Sequence, residues 1–404
     1  MNRKYNIAIL IPSLSGGGAE RVAARLSLYF TQQGWDVYYF VDQRKRGEEY
    51  FHKGKVVQVL PECEKAVLVH STNLFYQFRD LLVKGKVVKK LKAQYQIDVA
   101  ISFMDEYNLL NVLSKGREQV ILRICDIMSL SGVAESVHMN FPHRMIGWLY
   151  NRADKIVVMS DYGKKDMAEK YHVLPEKLVK ILNPLVRQME VLRDEKKVWT
   201  YGDKVILAVG RVVEIKQQEQ LIKCMPYILS RCNEARLVIV GASHGTHSER
   251  LKQLVNALGV EEAVLFVGHQ SNVKWYYQNS RVFALVSKSE GYPNVMIEAL
   301  DEGIPVVTAD CPGAAREILG YEKSDKVLQT VFCKNGILIP ELTENALDAF
   351  GELTERQQLL AEAILQVLTK EEVYLRYKEA AKEYTDELVL DKIGAVWRSH
   401  FERE

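Results

Sequence analysis

A chain of 404 residues exceeds one ordinary domain and suits two, each able to bury its own core. Its 48% apolar and 26% charged residues exclude disordered, collagen-like and low-complexity classes, and no apolar run approaches the roughly 20 residues that a membrane-spanning helix needs. The net charge of +2 conceals an asymmetry: residues 1–190 hold 28 Lys and Arg against 20 Asp and Glu, the remainder 26 against 32, so the front half is basic. Six cysteines with no C-x-x-C pair argue against a disulfide framework or a structural zinc site and fit a reducing cytoplasm.

In chain order, the opening MNRKYNIAILIPSLSGGG imitates a signal peptide, but its apolar run is short and three glycines stand where a cleavage site would. It reads better as a first buried strand. AERVAARLSLYFTQQG then has helical spacing, followed by WDVYYFV, a basic helix near 78–95, IDVAISF, NLLNVLSK and QVILRI. Such alternation predicts a parallel sheet with helices on both faces. The pattern restarts at KVILAVG and runs through ARLVIVG, AVLFVGH, RVFALVS and IPVVTA. Between the series, the charged stretch from Arg187 to Lys197 is the expected linker. The fold class is therefore α/β: two doubly wound Rossmann-like domains facing a cleft. The expected divisions are 1–190, 191–370, and helices over 371–404 crossing back to the first domain.

Ligands of such sheets bind beyond the carboxyl ends of the strands, which directs attention to the loops there. After the first strand come Gly16, Gly17 and Gly18 before a helix. They read equally as a phosphate-approaching loop and as a tight turn, since the spacing is not G-x-G-x-x-G. In VGRVVEIKQQEQLI, Arg211 and Lys216 follow a strand, where two cations can neutralise a diphosphate. Gly241 and Gly245 mark the next strand end, and Gly268 with His269 the one after, as ligand-site wall.

SEGYPNVMIEALDEGIPVV, residues 289–307, places two carboxylates around a helix start. Pro293 suits the first helical position, Asn294 and Val295 lie just inside, and Gly303 ends the helix. Glu290 precedes the helix and Glu298 lies more than one turn within it. Carboxylates suit polyols because each accepts hydroxyl protons in fixed directions. Glu290 can take a sugar, Glu298 a ribose, and the N–H groups around the helix start, those of Gly291, Asn294 and Val295, its hydroxyls or phosphate.

These residues resemble glycosyltransferase family 4, the retaining nucleotide-sugar transferases of GT-B architecture. The likeness covers nearly the whole chain, through GGGAERV, GRVVEIK, FVGHQSNV and above all the E-x7-E of EGYPNVMIEALDEGIPVV. It implies contact of Glu290 with the transferred sugar, ribose recognition by Glu298, diphosphate binding by Arg211 and Lys216, and backbone contact from Gly17 and Gly18. Departures from the family pattern are Gln217 after Lys216, GASHG in place of a GDG-like turn, Gly313-Ala314-Ala315 before Arg316, and Cys125 or Asp126 where a histidine often stands.

The expected function is retaining transfer of a hexosyl or N-acetylhexosaminyl group from a nucleotide sugar, UDP-linked, to a glycan or polyprenyl-diphosphate-linked acceptor. No metal and no other cofactor is called for, and no nucleic-acid partner. Alternatives are a nucleotide-sugar epimerase of the same shape, against which E-x7-E argues, and a non-catalytic partner subunit, whose sign would be loss of Glu290, Glu298, Arg211 or Lys216. The segment RDLLVKGKVVKKLKAQY, residues 79–95, with Arg79, Lys84, Lys86, Lys89, Lys90 and Lys92, leaves two readings open. It is an amphipathic surface for anionic membrane, making the protein cytoplasmic and peripheral, or an ordinary helix packed on the sheet.

Overall fold

The computed structural model describes residues 4–44, 47–60, 74–130, 142–187, 200–243, 245–270, 272–343, 346–347 and 351–401, the side chains of 74–78 and 381 excepted. The chain divides into two compact units, Met1–Val186 with Leu388–Glu404, and Arg187–Glu387.

The first unit is built on seven parallel strands: β1 (Asn6–Leu10), β2 (Asp36–Val41), β3 (Lys55–Gln58), β4 (Val99–Phe103), β5 (Gln119–Arg123), β6 (Lys155–Val158) and β7 (Leu178–Lys180). Their order is β3-β2-β1-β4-β5-β6-β7. β4 and β5 are buried at every residue, as parallel strands covered on both faces must be. The order reverses between β1 and β4, which opens a crevice at their carboxyl ends. Parallel crossovers are right-handed, so helix Gly18–Gln32 and helices Leu74–Gln94, Asp105–Leu113, His143–Tyr150 and Asp161–Tyr171 cover opposite faces.

The helix Leu74–Gln94 is first of all a packing element. Leu81 and Val88 enter the core, and Lys92, 3% exposed, donates to Glu118 Oε1 and Asn111 Oδ1, both at 2.8 Å. Burial lowers the Lys92 pKa to about 8 against the opposing pull of Glu118. Lys84 is paired with Asp42 and Glu106 at 2.9 and 2.8 Å. Two of the six expected surface cations are thus committed inward. The outer side keeps Lys86, Lys89 and Lys90 beside the exposed Leu82 and Val83. No helix among the described residues is long and apolar enough to cross a membrane.

The second unit repeats the plan with β8 (Val205–Val209), β9 (Arg236–Val240), β10 (Val264–Gly268), β11 (Val282–Leu285), β12 (Val306–Ala309), β13 (Val331–Phe332) and β14 (Ile337–Ile339). The order is β10-β9-β8-β11-β12-β14-β13, antiparallel only between β13 and β14, and it reverses between β8 and β11. Helix Glu355–Thr369 starts with a complete capping box, Thr354 with Gln357, and packs on helix Gln218–Leu229 in the core.

The C-terminal return begins later than residue 371. Helix Glu371–Asp386 belongs to the second unit, where it packs on helix Asn294–Asp301, and only from Leu388 does the chain rejoin the first unit. There Leu185 and Leu388 to Leu390 exchange backbone hydrogen bonds at 2.6 and 3.1 Å. Helix Leu390–Ser399 lies against helix Gly18–Gln32 so closely that a Cβ on Gly394 would come 2.3 Å from the Tyr29 ring. Trp397 and Phe401 close an aromatic cluster with Phe30, Trp35 and Tyr5.

Candidate functional site

In the second unit, the two strands flanking the order reversal are followed by the two loops that the sequence singles out. β8 runs into Gly210, Arg211 and the 3-10 turn Glu214–Lys216, and β11 into Ser287, Glu290 and the start of helix Asn294–Asp301. The Lys288 amide donates to the Ile215 carbonyl at 2.8 Å, tying one loop to the other.

At their meeting point Lys216 Nζ lies 2.5 Å from Glu290 Oε1, with side chains 22% and 11% exposed. Ser287 Oγ donates to the same oxygen at 2.6 Å. One carboxylate oxygen is thereby engaged by a cation and a hydroxyl, which fixes the plane of the group. Gln217, at φ 48°, turns the chain so that Lys216 meets Glu290 while helix Gln218–Leu229 begins at once. That left-handed geometry is the reason a glycine suits this position. Here the Gln217 amide side chain offsets the strain with a buried hydrogen bond to the Leu342 carbonyl.

The main chain of Glu290 is held from the other side. Its amide donates to the Pro312 carbonyl at 3.1 Å, and it forms a parallel bridge with Gly313. Gly313 has φ 128°, and a Cβ there would fall 1.6 Å from the Glu290 carbonyl oxygen. Arg316 grips Asp310 through two parallel hydrogen bonds of 2.6 and 2.7 Å, fixing the 310–313 turn.

The neighbouring loops are laced by backbone hydrogen bonds: Gly210 to Val240, Val212 to Ala242, and Gly241 to Gly268. A Cβ on Gly241 would lie 1.9 Å from the Gly210 oxygen. Gly268 has φ 71° and is followed by the exposed His269. Arg211 is exposed, and its carbonyl accepts from Gln218 Nε2.

Helix Asn294–Asp301 opens one residue later than expected: Pro293 is its N-cap, with φ −73° and ψ 90°, and its carbonyl accepts from the Met296 amide. Asn294 and Val295 form the first turn, and Pro293 itself makes no side-chain cap bond. Gly291 and Pro293 are buried, and Glu298 is half-buried one turn further on. Tyr292 between them is buried, its hydroxyl 3.3 Å from that of Tyr384.

Gly17 and Gly18 belong to the first unit. Gly17 is the N-cap of helix Gly18–Gln32, and the Glu20 carboxylate folds back onto it, where a Cβ would meet Oε2 at 2.2 Å. The helix start therefore already holds an acidic group of its own.

Three residues of these loops and the helix after them escape sequence reasoning. Ser287 sits inside an apolar strand word, Gly313 looks like part of a departure, and Glu219 resembles any helix-surface acid. Glu219 is in fact 6% exposed, and its Oε2 and His247 Nε2 lie 3.6 Å apart, both buried and without a hydrogen bond. Burial pushes the Glu219 carboxyl up to about 7 and the His247 imidazole down.

The chain resembles known proteins along nearly its whole length. Residues 16–186 match the model of Glycosyltransferase Family 4, and residues 192–384 that of Glycosyl transferases group 1. An uncharacterized glycosyltransferase of Haemophilus influenzae is 24% identical over 86% of this chain and 92% of its own. The N-acetylgalactosamine-N,N'-diacetylbacillosaminyl-diphospho-undecaprenol 4-alpha-N-acetylgalactosaminyltransferase of Campylobacter jejuni is 27% identical, over 78% of this chain and 84% of its own. Among solved structures, Anabaena Alr3699/HepE in complex with UDP and glucose superimposes with a TM-score of 0.69 at 16% identity, covering 98% of both chains.

Proposed function

The chain is a glycosyltransferase of the family 4 type with the two-domain GT-B fold, and on that premise we propose that it transfers a hexosyl or N-acetylhexosaminyl group, with retention, from a UDP-sugar to a lipid-linked saccharide. The observation that carries this reading is the Lys216–Glu290–Ser287 cluster at the order reversal of the second sheet. A cation and an oriented carboxylate there suit a donor whose diphosphate needs neutralising and whose sugar needs its hydroxyls held.

In this mechanism Arg211 and Lys216 stabilise the charge that develops on the departing diphosphate, a task preorganised cations perform well in a partly desolvated site. Glu290 holds the transferred sugar and Glu298 the ribose. The N–H groups of Gly291, Asn294 and Val295 take hydroxyl or phosphate oxygens, with Gly268 and His269 as wall. Departure and attack occur on the same face, and the leaving phosphate accepts the acceptor's proton. No metal is assigned a part. The lipid-linked acceptor is suggested by the name of the Campylobacter jejuni relative, and the UDP donor by the ligand of the Anabaena structure. A cytoplasmic protein peripheral to the membrane follows from such an acceptor.

The test is ligand binding by thermal shift across nucleotide sugars, UDP and uridine, since a ligand of the folded state raises apparent stability. Arg211→Ala and Lys216→Ala are expected to weaken UDP roughly tenfold or more and uridine hardly at all, because only the diphosphate carries the charge they neutralise. Equal losses for both ligands would remove these side chains from the diphosphate.

A further inference from the structure

At the end of β4 the chain passes from strand to helix through a single residue. Phe103 is still paired with Arg123 in the sheet, Asp105 already opens helix Asp105–Leu113, and Met104 between them has φ 69° and ψ 153°. That region of backbone space is tenable almost only for glycine. Neighbouring hydrogen bonds hold it there. The Met104 carbonyl accepts the Asn108 amide at 2.9 Å, while the Asn108 side chain accepts from Ser102 Oγ at 2.8 Å and donates to the Arg123 carbonyl at 3.2 Å. The Met104 amide faces the Cys125 thiol.

The strained turn has one visible product: a large apolar side chain, 39% exposed, directly after five fully buried strand residues. It stands where β4 adjoins β1, at the order reversal of the first sheet, the place where such sheets hold ligands. Sharp strand-to-helix turns of this kind serve elsewhere to display one reactive side chain above a sheet. A thioether carries no proton to exchange at neutral pH, so this one serves recognition, through a polarizable and adaptable apolar contact.

We propose that Met104 is an acceptor-recognition residue, its strained turn presenting the thioether to the apolar C–H face of an acceptor saccharide. The inference rests on the transferase reading, in which Lys216 and Glu290 of the second unit serve the donor and the second substrate needs a site of its own.

Three variants test it, with the nucleotide sugar that gives the largest thermal shift as donor and a short-chain polyprenyl-diphosphate-linked N-acetylhexosamine as acceptor. Met104→Ala and Met104→Gly both remove the side chain and differ in the backbone they tolerate; Met104→Leu keeps the apolar bulk. Met104→Gly is expected to melt a few degrees above Met104→Ala. Both should raise the acceptor KM about tenfold, with donor hydrolysis in the absence of acceptor unchanged. Met104→Leu should restore the acceptor KM to within about twofold. A Gly variant no more stable than the Ala variant, or a wild-type acceptor KM in both, overturns the assignment. Absence of donor turnover in the wild-type protein overturns the transferase reading itself, and this inference with it.

Discussion

Glu290 and Glu298 are eight residues apart in sequence and differ sharply in surroundings, and their roles should separate kinetically. Glu290 is clamped by Lys216 and Ser287, so Glu290→Gln keeps the shape but loses the charge that Lys216 faces. Turnover is expected to fall about 100-fold with little change in donor KM, whereas Glu298→Gln should chiefly raise donor KM. Steady-state kinetics with a verified donor decides it, and unchanged constants in both variants would sink the assignment. Glu219 calls for a different measurement. Its folded pKa of about 7 lies above the ordinary carboxyl value, so the folded state binds the extra proton between roughly pH 4.5 and 7. Linkage then makes stability fall as pH rises through that window and level off above it. Glu219→Gln cannot ionise and should be more stable than wild type at pH 8, by up to about 3 kcal/mol. The two should converge near pH 4. Denaturant titrations at the two pH values read this directly, and a constant difference between them would contradict it. His247, Glu214 and Lys288 face the same region, which makes the window broader than that of a lone acid.

Elements explain how the candidate site accommodates its departures from the family pattern. The glycine before Arg316 is retained at 313, where the backbone of Glu290 leaves no room for a Cβ, while Ala314 and Ala315 are simply buried. Gly313→Ala is expected to cost about 2–4 kcal/mol and to depress turnover more than donor affinity, because whatever moves to relieve the clash moves Glu290. Full activity at unchanged stability would show that the turn is not the support of Glu290. The basic helix Leu74–Gln94 carries a second element-scale prediction. With Lys84 and Lys92 tied inward and the exposed Arg79 paired with Asp80, Lys86, Lys89 and Lys90 form an exposed cationic set next to Leu82 and Val83. Flotation with anionic vesicles should show binding that weakens with salt and drops on replacing these three lysines by Glu, each basic residue contributing about 1 kcal/mol near such a surface. Absence from vesicles at low ionic strength would leave the helix a packing element alone.

On the scale of the whole molecule, the end of the chain belongs to its beginning. Trp397 and Phe401, 1% and 2% exposed, complete the aromatic cluster around Phe30 and Trp35 of the first unit. Trp397→Ala is therefore expected to destabilise the first unit by about 3–5 kcal/mol and to spare UDP binding by the second. Calorimetry should show the UDP-insensitive transition moving down and the UDP-sensitive one staying. A shift of the UDP-sensitive transition instead would mean that the last helix supports the wrong half.

Sequence by itself determined the α/β class, the restart of the pattern near residue 204, the two loops that carry Arg211, Lys216 and Glu290, and the helix that carries Glu298. Buried parallel strands must be continuous apolar runs, and the glycines and charges after them stand out by contrast. β3, β6 and β7, of three or four residues each, were not legible: unlike the equally short β11 and β12, β3 and β7 do not stand out as apolar runs before a glycine or charged loop, and all three take their identity from the neighbours they pair with. Only the tertiary structure decided that Lys216 meets Glu290, 74 positions away, that Gly313 is there for Glu290, and that Lys92 turns inward. Those are contacts between distant segments, and a local pattern of residue types records which side chains a segment can bury but not which partner it will find.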